Sequence, residues 1–250
     1  MRVSVVTVCL NSERTIEHTI RSFVEQLHSD KELILVDGGS TDRTLDIVRA
    51  FRDPAIRIVA GKDRGIYDAM NKGLKAYGGD AIGFLNSDDA FHDAEVLGRI
   101  AAALEDADAV YGDIVFVGDH IQKRVVRRWN AGPFRRGSFR WGWMPPHPTF
   151  YIRRGLAERV GLFDLQYGAS ADYDFMLRAL EVANADARYI PHTLVDFMQG
   201  GQSTAKLSRY VEGNLQCLKS RRRHLGAAAV DLALFLKPLR KSHQFRWLFR

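Results

Sequence analysis

The chain has 250 residues, 46% hydrophobic and 26% charged, which is ordinary globular material and enough for one large α/β domain with an appendage. Only two cysteines are present, Cys9 and Cys217, which excludes a disulfide framework and CxxC-type metal spacing and fits a reducing cytosol. The net charge of +6 suggests a nucleic-acid partner until it is divided along the chain: residues 219–250 hold nine Lys/Arg and one acid, Asp231, leaving 27 basic against 29 acidic residues in 1–218, so no nucleic-acid surface is expected.

In chain order, Val3–Cys9 is a nearly continuous β-branched run, as expected of a strand covered on both faces, and it begins at once after Met1-Arg2, without the pattern of a secretion signal. Ile16, Ile20, Phe23 and Leu27 fall at helical spacing and predict a crossover helix over 15–26. A second buried strand is expected at 33–36, a helix at 44–51 and a third strand at Ile56–Ala60. This is a βαβαβ start, hence a parallel sheet with right-handed crossovers. Ile66–Ala76 reads as a helix, 81–85 as a fourth buried strand, and 94–104 as a helix capped by Asp93.

Beyond Val110 the pattern changes. Alternation over 114–117 and 123–129 predicts a hairpin, 131–146 is a loop rich in Gly, Pro, Arg and Trp, 149–152 is a strand and 173–181 a helix. Gly200-Gly201-Gln202-Ser203 reads as a mobile loop. In the tail, Leu232, Leu234, Phe235, Leu236, Leu239, Phe245, Trp247, Leu248 and Phe249 are interleaved with the basic residues. That mixture suits either an interfacial segment on an anionic membrane surface or a helix packed on the domain or on a second subunit. The apolar stretch 226–236 is too short to span a bilayer, which needs about 20 residues.

Three loops carry the chemistry: Val-Asp-Gly-Gly-Ser-Thr-Asp (36–42), Gly-Ile-Tyr-Asp-Ala-Met-Asn-Lys-Gly (65–73) and Phe-Leu-Asn-Ser-Asp-Asp (84–89). Each ends or follows an apolar run, so an α/β core would deliver three carboxylate-bearing loops to one edge of a sheet, where ligands bind in such folds. In this order they resemble the nucleotide-binding half of inverting family 2 glycosyltransferases of the GT-A fold, in particular the short bacterial enzymes of surface polysaccharide and glycolipid synthesis. The resemblance covers about residues 3–205. It implies a GT-A catalytic domain over 1–205, with a nucleotide-sugar-binding half (1–110) and an acceptor-side half (111–205), followed by a basic amphipathic helical tail (206–250).

The resemblance also assigns roles. Thr7, Asp37 and Asp63 would meet the nucleoside, Lys62 or Arg64 would offset phosphate charge, and Asp68 and Asn71, three apart on one helix face, would touch the donor sugar or stabilise the helix. Asp88 takes the place of the metal-binding acid, with Asp89 in support, for Mg²⁺ or Mn²⁺ shared with a diphosphate. Asn86 stands where the fuller pattern has an acid, so it is expected to bond the ribose and to weaken metal affinity. Asp172, in Ala-Ser-Ala-Asp-Tyr-Asp, matches the family's general base, with Ala171 replacing the usual preceding acid; the alternative is a plain helix cap. His147 matches a His near the diphosphate or acceptor, or is structural in its Pro-rich turn. Asp42 reads as a cap, Asp174 and Arg178 as a pair, and Trp141 and Trp143 as sugar-stacking or core residues.

The resulting expectation is a cytoplasmic inverting glycosyltransferase, with a peripheral seat on the inner membrane face and a homo-oligomeric state as further options. It would use a UDP-sugar by preference, or a GDP- or dTDP-sugar, and a glycan or lipid-linked acceptor. Its rivals are an idle nucleotide-binding or scaffold subunit, suggested by Asn86 and Ala171, and a sugar nucleotidyltransferase. The latter lacks support because Leu10-Asn11-Ser12-Glu13-Arg14 offers no glycine-rich loop after the first strand. A dinucleotide-dependent oxidoreductase fails for want of GxGxxG there.

Overall fold

The computed structural model describes residues 1–118, 124–198 and 207–226. The first half follows its hydrophobic pattern: β1 (Val3–Cys9), α1 (Ile16–Val24), β2 (Lys31–Asp37), α2 (Thr44–Ala50), β3 (Ile56–Ala60), α3 (Ile66–Ala76) and β4 (Ala81–Phe84). Every residue of β1 and β4 is buried, because helices cover both faces of the sheet. Val6, Val8, Ile34 and Val36 pack toward α3, and Val5, Cys9, Leu33 and Leu35 toward Ile16, Ile20, Phe23 and Val48 of α1 and α2.

Two expectations need correction here. The periodic run at α1 ends at Val24, and Leu27 lies outside the helix, 74% exposed. The helix expected at 94–104 is α4 (Val96–Ala103), with Glu95 at the N-cap position; Asp93 instead accepts the Glu95 N–H (2.9 Å) and two bonds from Arg99 Nη1 (2.8 and 2.9 Å).

A two-residue strand, β5 (Ala90–Phe91), follows the acidic loop, and the second half contributes β6 (Ala109–Val117), β7 (Val125–Trp129), β8 (Tyr151–Arg153), α5 (Arg154–Val160), α6 (Ala171–Leu177), β9 (Ala187–Met198) and α7 (Leu207–Leu225). The sheet runs β3-β2-β1-β4-β8-β6-β9-β5, with β7 paired to β6 as the expected hairpin. The first four of these strands are parallel, and β8 is antiparallel to both β4 and β6. Residues 147–149 form a short 3₁₀ turn rather than the start of a strand, and α6 continues into a π-helical turn, Arg178–Val182. The expected loop at 200–203 and the tail from 227 lie outside the described residues. Among the described residues no helix is long and apolar enough to cross a membrane.

Candidate functional site

The loops after β2, β3 and β4 meet at the carboxyl ends of the parallel strands. Asp37, 2% exposed, closes β2 and turns its carboxylate back onto its own loop, accepting the N–H groups of Gly39 (3.1 Å) and Ser40 (3.2 and 3.1 Å). Gly39 takes φ +102°, a conformation that favours glycine. The Cys9 thiol lies 3.7 Å from Asp37 Oδ1, and burial together with that carboxylate pushes its pKa up to about 12. Asp42, expected as a cap, lies one residue before the N-cap position Arg43 and accepts instead from Thr44 N–H and Oγ1 (3.0 and 2.6 Å). Thr7 on β1 is fully buried, and its hydroxyl has no partner among the described residues.

Asp63 is brought directly over this loop. A Cβ on Gly38 would lie 2.6 Å from Asp63 Oδ2, so the contact exists only because residue 38 is glycine. The other carboxylate oxygen accepts Gly65 N–H (3.0 Å). Asp68 accepts the Arg64 N–H (3.0 Å) and faces the 80% exposed Arg64 guanidinium at 3.4 Å, while Lys62 is exposed and its carbonyl is held by Lys72 Nζ (2.7 Å). Asn71 is not presented to the donor side. It is 6% exposed, and its amide exchanges two hydrogen bonds with the Phe163 backbone (3.0 and 2.8 Å), stitching α3 to the second half.

In the third loop Asp89 is fully buried and accepts Met198 N–H at the end of β9 (3.0 Å) and Asn86 Nδ2 (2.8 Å). The Asn86 amide nitrogen is thus committed to Asp89. Burial, and then the neighbouring Asp88 carboxylate, hold the Asp89 carboxyl well above the ordinary carboxylate range. Asp88 is half-buried beside Ser87, whose hydroxyl meets Ser12 Oγ (3.0 Å).

Across from these loops stands Asp172, half-buried in the first turn of α6, with its Oδ1 on the Tyr173 N–H (2.8 Å). Its charge is felt by two neighbours. Burial, then Asp172, raises the Tyr67 phenol well above its usual pKa. Burial lowers that of His147 while Asp172 opposes the shift, which favours a neutral imidazole. His147 stacks on Phe84 at the end of β4 (centroids 5.4 Å apart) and meets Phe163 edge-on (5.9 Å), and its Nε2 is buried without a protein partner. Phe84 leads into Asn86-Asp89, so the imidazole ties the acidic loop to the Asp172 side. Trp143 is core, 9% exposed with its Nε1 on Ala131 carbonyl (2.9 Å), whereas Trp141 is 49% exposed.

This arrangement can be set against known proteins. The profile of "Glycosyl transferase family 2" matches residues 4–160. A "PGL/p-HBAD biosynthesis glycosyltransferase" of Mycobacterium bovis is 33% identical over 204 residues, covering 79% of this chain and 77% of that protein. The chain belongs to glycosyl transferase family 2. Among solved structures, Staphylococcus aureus TarS 1–349 in complex with UDP-GlcNAc superimposes with TM-score 0.68 at 20% identity, covering 94% of this chain and 69% of that one. The mannosyltransferase PcManGT from Pyrobaculum calidifontis, in complex with GDP-Man and Mn²⁺, gives 0.65 at 19%, covering 98% and 69%. These two likenesses establish the GT-A fold.

In this glycosyltransferase, sequence reading passed over Tyr67, although it stands inside the quoted 65–73 segment; its pairing with Asp172 depends on a contact across 105 positions that no local pattern carries. Cys9 and Ser12 were likewise read only as strand and loop. Asp88 and Asp89 offer oxygen donors, the ligand chemistry of hard divalent cations. Among the described residues no three His, Cys, Asp or Glu side chains group as a complete metal cage.

Proposed function

We propose that this glycosyltransferase moves a sugar, with inversion, from a nucleoside-diphosphate donor to a hydroxyl group of a glycan or lipid-linked acceptor. The observation that carries the reading is the opposition of two acidic centres: Asp88 with Asp89 on the strand-end side, and Asp172 at the start of α6, bridged by the stack of His147 on Phe84. The donor base and ribose would lie among Thr7, Asp37 and Asp63, where the orphan Thr7 hydroxyl offers a buried hydrogen bond. Exposed Lys62 and Arg64 stand at the phosphate side, and Asp68, held to Arg64, orients that cation. Asn86 acts through Asp89 rather than on the ribose.

Asp88, supported by Asp89, would hold Mn²⁺ or Mg²⁺, which neutralises the charge of the departing diphosphate. Asp172 takes the acceptor O–H proton as that oxygen forms its bond to the anomeric carbon, and the bond to the diphosphate oxygen breaks on the opposite face. The phenol of Tyr67 keeps its proton and donates a hydrogen bond to the Ala169 carbonyl (3.3 Å), beside the Asp172 carboxylate. Neutral His147 supplies a positioned donor or acceptor through Nε2 at the junction of the two centres. On its outward face α7 presents Val211 and Leu215, about half exposed, with exposed Lys219 and Arg222, a surface suited to an anionic leaflet bearing a lipid-linked acceptor.

The test is a calorimetric titration with UDP, GDP and dTDP, with and without Mn²⁺, on wild type, Asp88→Ala and Asp172→Asn. The expected outcome is metal-dependent binding of one nucleotide, weakened at least about tenfold in Asp88→Ala, or ~1.4 kcal/mol, and kept in Asp172→Asn. No nucleotide binding in the wild type would sink the reading in favour of an idle scaffold.

A further inference from the structure

Helix α6 is gripped by α7. Ser170, just before the helix, donates to the Gly213 carbonyl of α7 (3.0 Å). Tyr173, just after Asp172, receives Arg221 Nη1 on its hydroxyl (2.9 Å), and the guanidinium carbon stands 5.6 Å from its ring centroid. Asp174 is fully buried: Oδ1 accepts from Ser220 Oγ (2.8 Å) and His224 Nε2 (3.1 Å), and Oδ2 from Arg178 Nε (2.7 Å). Ser170, Tyr173 and Asp174, which flank Asp172, are therefore each fastened to α7.

The inward face of α7 adds polar and charged side chains to the buried Cys217. Ser220 and Arg221 face inward, 0% and 5% exposed, whereas Val211 and Leu215 face outward at 52% and 50%. Burying ions costs several kcal/mol each unless they are fully bonded, so such a network adds little stability over apolar packing and is best explained by the single geometry it enforces. That geometry is the placement of the α6 amino end.

We propose that α7 is a positioning element of the active site: Ser220, Arg221 and His224 hold the first turn of α6 so that Asp172 stays within proton-transfer reach of the acceptor hydroxyl. The inference rests on the reading of Asp172 as the base. It places an essential part of the acceptor side beyond residue 160, where the family profile ends, in a segment the sequence presents as a basic tail.

The test uses the full chain carrying Ser220→Ala, His224→Gln, Arg221→Gln or Arg221→Lys, each alone and in an Asp172→Asn background. Three quantities are read: affinity for the nucleotide selected above, its release from the matching nucleotide-sugar with water as acceptor, and amide exchange over 170–177. The expected result is nucleotide affinity within about twofold of wild type, kcat lowered roughly tenfold or more, and faster exchange in 170–177 but not in β1, with Arg221→Lys restoring part of the loss. In the Asp172→Asn background the same changes should cost almost nothing further, since they act through that carboxylate. Additive losses in that background, or kcat and nucleotide affinity falling together, would overturn the proposal. Asp172→Asn turning over at the wild-type rate overturns the base reading itself, and that single variant identifies the failure. If an arginine variant does not fold, Ser220→Ala deletes one hydroxyl and decides the matter.

Discussion

At the scale of single residues, the donor side depends on close approaches as much as on carboxylates. Asp63 can lie over the β2–α2 loop only because Gly38 has no Cβ. Gly38→Ala forces the Asp63 side chain away, and because the clash is with the end of a side chain the expected loss of stability is small, about 1 kcal/mol. Nucleotide affinity should fall about tenfold, matching Asp63→Ala, and the double variant should be no worse than either single one. Additive effects in calorimetry would show that the two residues act separately. The sequence displayed Asp37, Asp63, Asp88 and Asp172 through motif order. It did not display that Asn71 spends its amide on the Phe163 backbone, because three-residue helical spacing gives a common face but not what that face touches.

At the scale of elements, the turn into β4 aims the acidic loop. Glu32 on β2, with its side chain 7% exposed, accepts Ser4 Oγ (2.5 Å), the N–H groups of Gly78 (2.5 Å) and Gly79 (3.0 Å), and Arg2 Nη2 (3.1 Å). Burial alone would raise its pKa, but the Ser4 and Gly78 hydrogen bonds and the Arg2 charge outweigh burial and lower it. The unfolded carboxyl titrates near ~4.3, so this contribution to stability is complete above that pH and is lost as pH falls through the lower folded value. Glu32→Gln should cost about 2 kcal/mol at pH 7. In denaturant melts the gap between variant and wild type should narrow below about pH 4; a gap that widens in acid would contradict the assignment. Elements with continuous apolar runs or clean periodicity were legible: β1, β3 and α3 have the predicted bounds. β5, α5 and β9 were not anticipated. β5 has two residues, and β9 mixes buried and exposed positions because its neighbours change along its length, from Ala187 beside Ala109 to Asp196 beside both Val115 and Ala90.

At the scale of the molecule, the βαβαβ start and the change of pattern after Val110 were enough to imply a GT-A fold once the three loops were read in order. How the second half joins the first was not legible, since strand partners distant in sequence leave no periodic trace. The tail divides into two parts. Residues 207–225 form α7, which packs on the body through α6 and turns Val211, Leu215, Lys219 and Arg222 outward; the residues after 226 lie outside the described part of the chain. Co-sedimentation with vesicles containing phosphatidylglycerol should exceed that with neutral vesicles and weaken with salt. It should also drop in Lys219→Glu/Arg222→Glu, at about 1 kcal/mol per cation before the added repulsion. Equal binding to neutral vesicles would remove the electrostatic argument.

The position of β8 has a consequence for anyone who would re-engineer this enzyme. Ile152 is the partner of Ile82 on one side and of Ala109 on the other, so β8, though later in the chain than both, is inserted between β4 and β6. No cut of the backbone separates the halves without tearing open the sheet, and grafting a foreign acceptor half onto residues 1–110 would leave β4 with a raw edge. Changes in the neighbouring 131–146 segment are therefore best confined to its exposed positions, such as Arg135, Arg136 and Trp141, because Ala131, Phe139 and Trp143 of the same segment are core.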